Sequence, residues 1–323
     1  MRIKFIQNML DLLRNKKRKN AKQMNNGFLA SSNIYEKLKE DIKKIPFYNL
    51  KNIPSSQVEW LNNLNKLKKL MLTKNPNNFL QWGVIQYTMF ITDEHGNYIP
   101  TELDYLKNRA DWSDRYIHAI RENIVGNPEP CKGYPASSCN LIHHAYSVAQ
   151  FEEKTQIKIN EINTVFEFGG GYGSMSRLFY NLGFNGKYII YDLPAFSILQ
   201  KYYLKTLGFE VLSIEEFDKS NKGILCISDI NELKSILIKL DNSQNNLFLG
   251  TWSISETPLS VRESIVPLLN NLNLFLIAYQ NNFNEMDNIE YFNNFMVSRS
   301  DINWQTWHME YLPGSNYLIG KNH

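Results

Sequence analysis

A doubly wound, Rossmann-like α/β sheet preceded by a mostly helical N-terminal region is the fold the sequence predicts. Three observations carry that expectation: beyond residue 164, strand-length apolar runs alternate with helical stretches; a glycine-rich turn follows the first run; and an acid closes the second. Runs that are apolar throughout belong to strands covered on both faces, and their alternation with helices points to a largely parallel sheet. The runs are Thr164–Phe168, Tyr188–Tyr191, Gly223–Ser228, Leu247–Thr251 and Leu274–Tyr279, with helices expected at about 174–182, 195–207, 230–240 and 258–271. Tyr317–Gly320 reads as a closing strand, antiparallel and at or near the sheet edge.

Before this domain, residues 33–160 read as mostly helical, punctuated by Pro46, Pro54, Pro76, Pro100, Pro128, Pro130 and Pro135. Val58, Leu61, Leu64, Leu67, Leu70 and Leu72 suit an amphipathic helix over 57–72. Residues 84–91 and 98–99, separated by Asp93-Glu94-His95-Gly96-Asn97, read as a small hairpin or two short strands. Residues 1–32 form a basic amphipathic segment, with Ile3, Ile6, Met9, Leu10 and Leu13 at helical spacing ahead of Lys16-Lys17-Arg18-Lys19. Such a segment either attaches residues 1–24 weakly to an anionic membrane surface or a partner, or is a solvated terminus. The expected division is thus 1–32, 33–160 and 161–323.

Composition narrows the function. Of 323 residues, 43% are hydrophobic and 21% charged, which is ordinary for a globular chain. The net charge of +3 is uneven: residues 1–24 hold eight of the 35 Lys and Arg and one of the 32 acids, so the rest carries about −4. A body of that sign is the reverse of what gripping a polynucleotide needs, so nucleic acid is not the expected partner. The three cysteines, Cys131, Cys139 and Cys226, cannot all pair with one another, and no ligand spacing for zinc occurs; neither a disulfide framework nor a metal is expected. No run approaches the roughly 20 apolar residues of a membrane span, and the N-terminus lacks the long apolar stretch of a signal peptide. The expected location is the cytoplasm, at most peripheral at the inner face of the membrane.

The sharpest signal is Val165-Phe166-Glu167-Phe168-Gly169-Gly170-Gly171-Tyr172-Gly173, a strand running into glycines and then a helix. Glycines there permit a tight turn and let backbone N–H groups approach a ligand at the carboxyl end of the sheet. A dinucleotide fingerprint starting at Gly169 needs glycine or alanine where Ser174 stands, and no Gly-Lys-Ser/Thr follows. Glu167 at the strand end would repel a pyrophosphate and attract a cation. S-adenosyl-L-methionine, cationic and free of phosphate, is therefore favoured over NAD or ATP. Asp192 ends the next strand 19 residues after Gly173, the place of an acid that accepts hydrogen bonds from a ribose.

Glu167-x-Gly169-x-Gly171-x-Gly173 with the strand-ending Asp192 resembles class I S-adenosylmethionine-dependent methyltransferases. More narrowly, three segments resemble the sugar O-methyltransferases of bacterial polysaccharide gene clusters: Val125–Pro128 through Ser137–Tyr146, Phe166–Gly173 and Thr251–Pro258, with Leu312–Gly320 matching that family's usual ending. The resemblance covers about 110–320. It implies methyl transfer to a sugar hydroxyl on a nucleotide-linked sugar or a growing capsule or lipopolysaccharide chain.

Methyl transfer to an alcohol needs an aligned oxygen and a base for its proton. His143 and His144 are the candidates, on a helix about 25 residues before the glycines; adjacent helical residues diverge by about 100°, so at most one is expected to face the methyl group. His308 is the runner-up. Glu256, after the strand Leu247–Thr251, could orient a hydroxyl, act as base or bind the methionine ammonium, or simply complement a helix dipole. Trp252 and Ser253 fall beside the cofactor, as do Ser228 and Asp229, which could meet the adenine amino group or cap a helix. Aromatic residues such as Trp82, Tyr87, Trp112, Tyr116, Trp304 and Trp307 suit sugar stacking and core packing alike. The rivals are methylation of another small molecule, a cofactor-binding partner subunit without activity, and a glycosyltransferase, which the lack of an Asp-x-Asp motif disfavours.

Overall fold

The computed structural model describes residues 33–51, 55–91 and 96–323; the segment 1–32 and residues 93–95 of the expected turn lie outside the described residues. Helix α1 (33–44) leads to α2 (Ser55–Thr73), α3 (Gly83–Met89) and α4 (Ile99–Lys107). Helix α2 forms where expected; of the expected stripe Leu64 and Leu67 are buried and Val58, Leu61, Leu70 and Leu72 half-buried, while Met71, outside that stripe, is buried too. Helices α3 and α4 replace the expected hairpin. Val84, Ile85, Tyr87 and Thr88 favour strand by propensity, but Val84 and Ile85 are buried on one side of a helical turn, and the Thr88 hydroxyl donates to the Val84 carbonyl at 2.6 Å. Burial overrides propensity here. Pro100 stands in the first turn of α4, where its missing N–H costs nothing.

Helix α5 (Cys139–Thr155) crosses from this region onto the sheet, capped by the Ser138 hydroxyl, which accepts the Leu141 N–H at 3.2 Å. One expectation needs correcting just before it. Cys131 and Cys139 are joined in a disulfide, while Cys226 is free and buried. Three cysteines rule out a framework, but one local pair forms because a turn, with the Tyr134 N–H on the Cys131 carbonyl, brings the two Cα atoms to 4.9 Å.

The sheet then builds in alternation: β1 (Thr164–Phe168), α6 (Ser174–Asn181), β2 (Lys187–Tyr191), α7 (Pro194–Thr206), β3 (Gly223–Ile227), α8 (Ile230–Leu237), β4 (Asn246–Thr251), α9 (Leu259–Ile265), β5 (Leu274–Gln280), α10 (Asn288–Ser298), β6 (Ile302–His308) and β7 (Ser315–Asn322). Pro267 ends the regular helix expected over 258–271, which continues as a 3-10 turn. The strand order is β3-β2-β1-β4-β5-β7-β6; β1 to β5 run parallel, and β7 is antiparallel to both neighbours. The closing strand therefore lies one place inside the edge. The edge itself is β6, which sequence reading missed because Ile302-Asn303-Trp304-Gln305 is half polar, as a one-sided edge strand can be.

Period-two alternation sorts the side chains into two layers. Val165, Tyr188, Ile190, Leu247 and Leu249 pack with α5, α6, α7 and the helices of the N-terminal region. Phe166, Phe168, Ile189 and Phe248 pack with α8, α9 and α10. The strand order reverses between β1 and β4, and a crevice opens at their carboxyl ends, where doubly wound sheets bind ligands.

A buried ion pair ties the chain before α5 to α6. Arg177 donates to the Glu122 carboxylate at 2.5 Å and to the Arg121 carbonyl. Replacing Arg177 by Ala leaves Glu122 without its cationic partner in a site that is mostly closed to water, with the Ser138 hydroxyl still donating to it at 2.7 Å. We expect a loss of about 3–5 kcal/mol in unfolding free energy, read from the urea midpoint. A loss below about 1 kcal/mol would place the pair with ordinary surface pairs.

Candidate active site

The turn after β1 is built on backbone that only glycine adopts readily. Gly169, Gly171 and Gly173 have φ of 72°, 57° and 92°. At Gly169 space matters as well: a Cβ would lie 2.6 Å from the Ser253 Cβ, so the ends of β1 and β4 close against each other. The Ser253 hydroxyl, donating to the Phe168 carbonyl, fastens that closure. From the other side Asp192 reaches across: its Oδ2 accepts the Gly171 N–H at 3.1 Å and the Gln200 amide at 2.8 Å, and its Oδ1 accepts the Leu193 N–H at 2.7 Å. Gln200 also donates to the Gly171 carbonyl at 3.0 Å, so one side chain on α7 braces both halves of the contact.

Above the turn lies a cavity of about 620 Å³. Its lining brings together Glu167, Gly169–Gly171, Asp192, Ser228, Trp252, Ser253 and Glu256 from the sheet, and His143 and His144 from α5. The N-terminal region adds Trp60, Tyr87, Met89 and Tyr98. No Lys or Arg is among the lining residues that the structure describes. Gly173 stands at the start of α6, packed toward Leu204 rather than the cavity. Asp229 is exposed, off the lining, and caps α8 by accepting the Asn231 and Glu232 N–H groups at 2.7 and 3.1 Å. His308 is exposed on β6 and also off the lining. Of the aromatics singled out for stacking, Tyr87 lines the cavity and Trp82, Trp112, Tyr116, Trp304 and Trp307 do not.

Burial sets the charge of the acids. It pushes the Glu167 carboxyl up to about 8, with the nearby Asp192 adding and the hydrogen bond from the Tyr188 hydroxyl (3.0 Å) opposing. Burial likewise lifts Asp192 to about 7 against its three hydrogen bonds. Glu256 rises to about 7 through burial and then the charge of Glu59, opposed by the Gln280 amide. Three acids with no basic neighbour among the described lining residues favour a ligand that brings positive charge, which would draw them toward their ionised form.

On the opposite wall, His143 is held at both nitrogens. Its Nδ1 lies 2.9 and 3.0 Å from the two carboxyl oxygens of Glu102, and its Nε2 accepts the indole N–H of Trp252 at 3.2 Å. Both histidines line the cavity. His144 is depressed to about 3 by burial and then by His143, and its Nδ1 is buried without a hydrogen-bond partner. Glu102 and Gln200 escaped sequence reading. Glu102 sits 41 residues before its partner, in a stretch that looks like a solvated helix, and no local motif marks it. Gln200 had a faint signal, two helical turns beyond Asp192 on the face toward the turn. Among the described residues no group of three or more His, Cys, Asp or Glu is placed to hold a metal ion, and no helix is long and apolar enough to cross a membrane.

No family model and no curated protein matches the chain. Solved structures do, by fold at low identity. One is an rRNA methylase from Streptococcus thermophilus, with 11% identity, 56% of this chain and 94% of that chain covered, and a TM-score of 0.37. Another is precorrin-6y C5,15-methyltransferase from Geobacter metallireducens GS-15, at 12% identity over 60% and 93% of the two chains, TM-score 0.35. A third is magnesium protoporphyrin IX methyltransferase from Synechocystis PCC 6803, solved with S-adenosylmethionine bound, at 12% identity over 57% and 79%, TM-score 0.37. The expectation that sets nucleic acid aside as a partner is corrected here, since rRNA methylases stand among the similar structures. A net charge of −4 averages over the whole body and does not report which groups an acceptor meets.

The raised Glu167 carboxyl gives a stability test. An acid lifted from its ordinary value to about 8 takes up a proton on folding between roughly pH 4.5 and 8. Its contribution therefore becomes steadily less favourable as pH rises through that window and levels off above it. Glu167→Gln keeps an acceptor for the Tyr188 hydroxyl and removes the ionisation. The variant should match the wild type in stability at pH 4.5 and exceed it at pH 8.5 by roughly 3–5 kcal/mol, the free energy needed to ionise a carboxyl held that far above its ordinary value. Equal stability at both pH values would show that Glu167 is not held neutral.

Proposed function

We propose that this chain is an S-adenosylmethionine-dependent methyltransferase acting on an acceptor hydroxyl. The observation that carries the reading is the set formed by Glu167, the Gly169–Gly171 turn and Asp192 around a cavity whose described lining holds acids and no Lys or Arg. The residues fit the cofactor. Glu167 is placed to take the methionine ammonium, Asp192 a ribose hydroxyl in exchange for one of its present donors, and Ser228 the edge of an adenine. When bound, the cofactor supplies an electrophilic methyl group on a sulfonium, which the acidic walls favour. His143, on the facing helix, is the preferred base for the acceptor proton; the depressed His144 is a weaker one. Glu256 and Trp252 then border the acceptor.

The finer reading, transfer to a sugar hydroxyl in surface polysaccharide synthesis, rests on the sequence resemblance over 125–146, 251–258 and 312–320. Mass spectrometry after incubation with S-adenosylmethionine tests it, with nucleotide sugars, oligosaccharides and RNA as parallel acceptors; methylated RNA and unmodified sugars would replace the sugar with a ribose or base.

The cofactor is tested by calorimetric titration with S-adenosylmethionine and S-adenosylhomocysteine. Micromolar binding is expected, weakened about 10- to 100-fold in Asp192→Ala for loss of a hydrogen bond to a charged group. Failure of either ligand to bind a folded sample would reject the reading.

A further inference from the structure

The contacts of His143 define more than a candidate base. Its Nε2 already accepts the Trp252 N–H, so that nitrogen carries a lone pair and the ring proton is on Nδ1, facing Glu102. Glu102 is 5% exposed and His143 3%, so neither partner is free to turn toward solvent. Around them stand the phenols of Tyr98 and Tyr146, and the Tyr317 hydroxyl joined to Ser147 at 2.7 Å; burial first, and the charge of Glu102 second, push all three phenols above the ordinary tyrosine value and so hold them protonated, with the Ser147 bond opposing at Tyr317. With those phenols neutral, Glu102 is the group facing Nδ1 that can carry negative charge.

Trp252 is unusual in its own right. It has φ of 59°, a left-handed conformation that a bulky side chain adopts only under constraint. Its backbone N–H donates to the Ala278 carbonyl at 2.8 Å, and its neighbour Ser253 is fastened to the end of β1. The indole lies nearly parallel to the imidazole, with centroids 6.2 Å apart and planes 27° apart, half-buried on the cavity wall. A strained residue at the cavity thus serves to place one donor at one lone pair.

We infer that Glu102 is the positioning residue of this site, fixing His143 as the Nδ1–H tautomer with its lone pair on Nε2, and that the Trp252 indole N–H occupies the place an acceptor hydroxyl takes during transfer. This rests on the methyltransferase reading for the identity of the incoming group. In the step the hydroxyl proton passes to Nε2 and the oxygen pair forms a bond to the methyl carbon. The electrons of the broken carbon–sulfur bond stay on sulfur, and the new imidazolium faces Glu102. Before that, Trp252 satisfies a nitrogen that would otherwise be buried without a partner.

The test is a long-range 15N–1H correlation spectrum of protein labelled at its six histidines, with His143→Gln to assign the signal. Wild type should show His143 protonated at Nδ1 and bare at Nε2. Trp252→Phe keeps a ring and removes the donor: Nε2 should shift toward an unbonded lone pair while the tautomer holds. Glu102→Ala should erode the Nδ1–H preference and populate the other tautomer. Glu102→Gln, which keeps an oxygen opposite Nδ1, should restore it in part and guards against simple misfolding, checked by its melting midpoint. A wild-type signal protonated at Nε2, or a tautomer indifferent to Glu102→Ala in a folded sample, would overturn the inference. These outcomes are read without cofactor, so they stand apart from a failed titration, which would remove the methyltransferase reading alone.

Discussion

The carboxyl group of Asp192, accepting the Gly171 N–H at 3.1 Å, is the contact on which the site depends. It spans the gap between the end of β2 and the turn after β1, and Gln200 braces it from behind. Fixing that turn holds Gly169 against Ser253, and Ser253 in turn holds the end of β4. The next residue, Trp252, reaches His143, which rests on Glu102. A single run of contacts thus joins the side of the cavity suited to a cofactor to the side suited to an acceptor. Because each link is a hydrogen bond or a close packing contact, a shift at either end has a path to the other.

Electrostatics gives the cavity its chemical preference. Glu167, Asp192 and Glu256 are each raised toward or above neutrality by burial, and among the described lining residues none has a basic side chain beside it. Two acids elsewhere, Glu152 and Glu122, are paired with Arg115 and Arg177. The contrast is local and informative. Unpaired acids cost stability, and they persist most readily where an arriving cation compensates them.

Much of this was legible in the sequence where the signal was local. The β1 run, its glycines and Asp192 follow from spacing within about thirty residues, because a strand, turn and helix impose it. The five parallel strands were legible from their unbroken apolar runs. What was hidden depends on contacts between distant segments. The helix at Gly83–Met89 carries a strand-like composition and is helical because of what covers it. Strand β6 shows polar residues because one side of it faces water. Glu102 resembles any first-turn helix acid, and only the folded chain brings it to His143. The Cys131–Cys139 bridge likewise needed the turn at Cys131–Tyr134 to be seen.

The most direct measurement is a crystal structure with S-adenosylhomocysteine. The expected result places its ribose on Asp192 and its amino group at Glu167, with the sulfur facing the wall that holds His143. A ligand bound outside this cavity, or lying in it with the ribose away from Asp192, would contradict the account of the site.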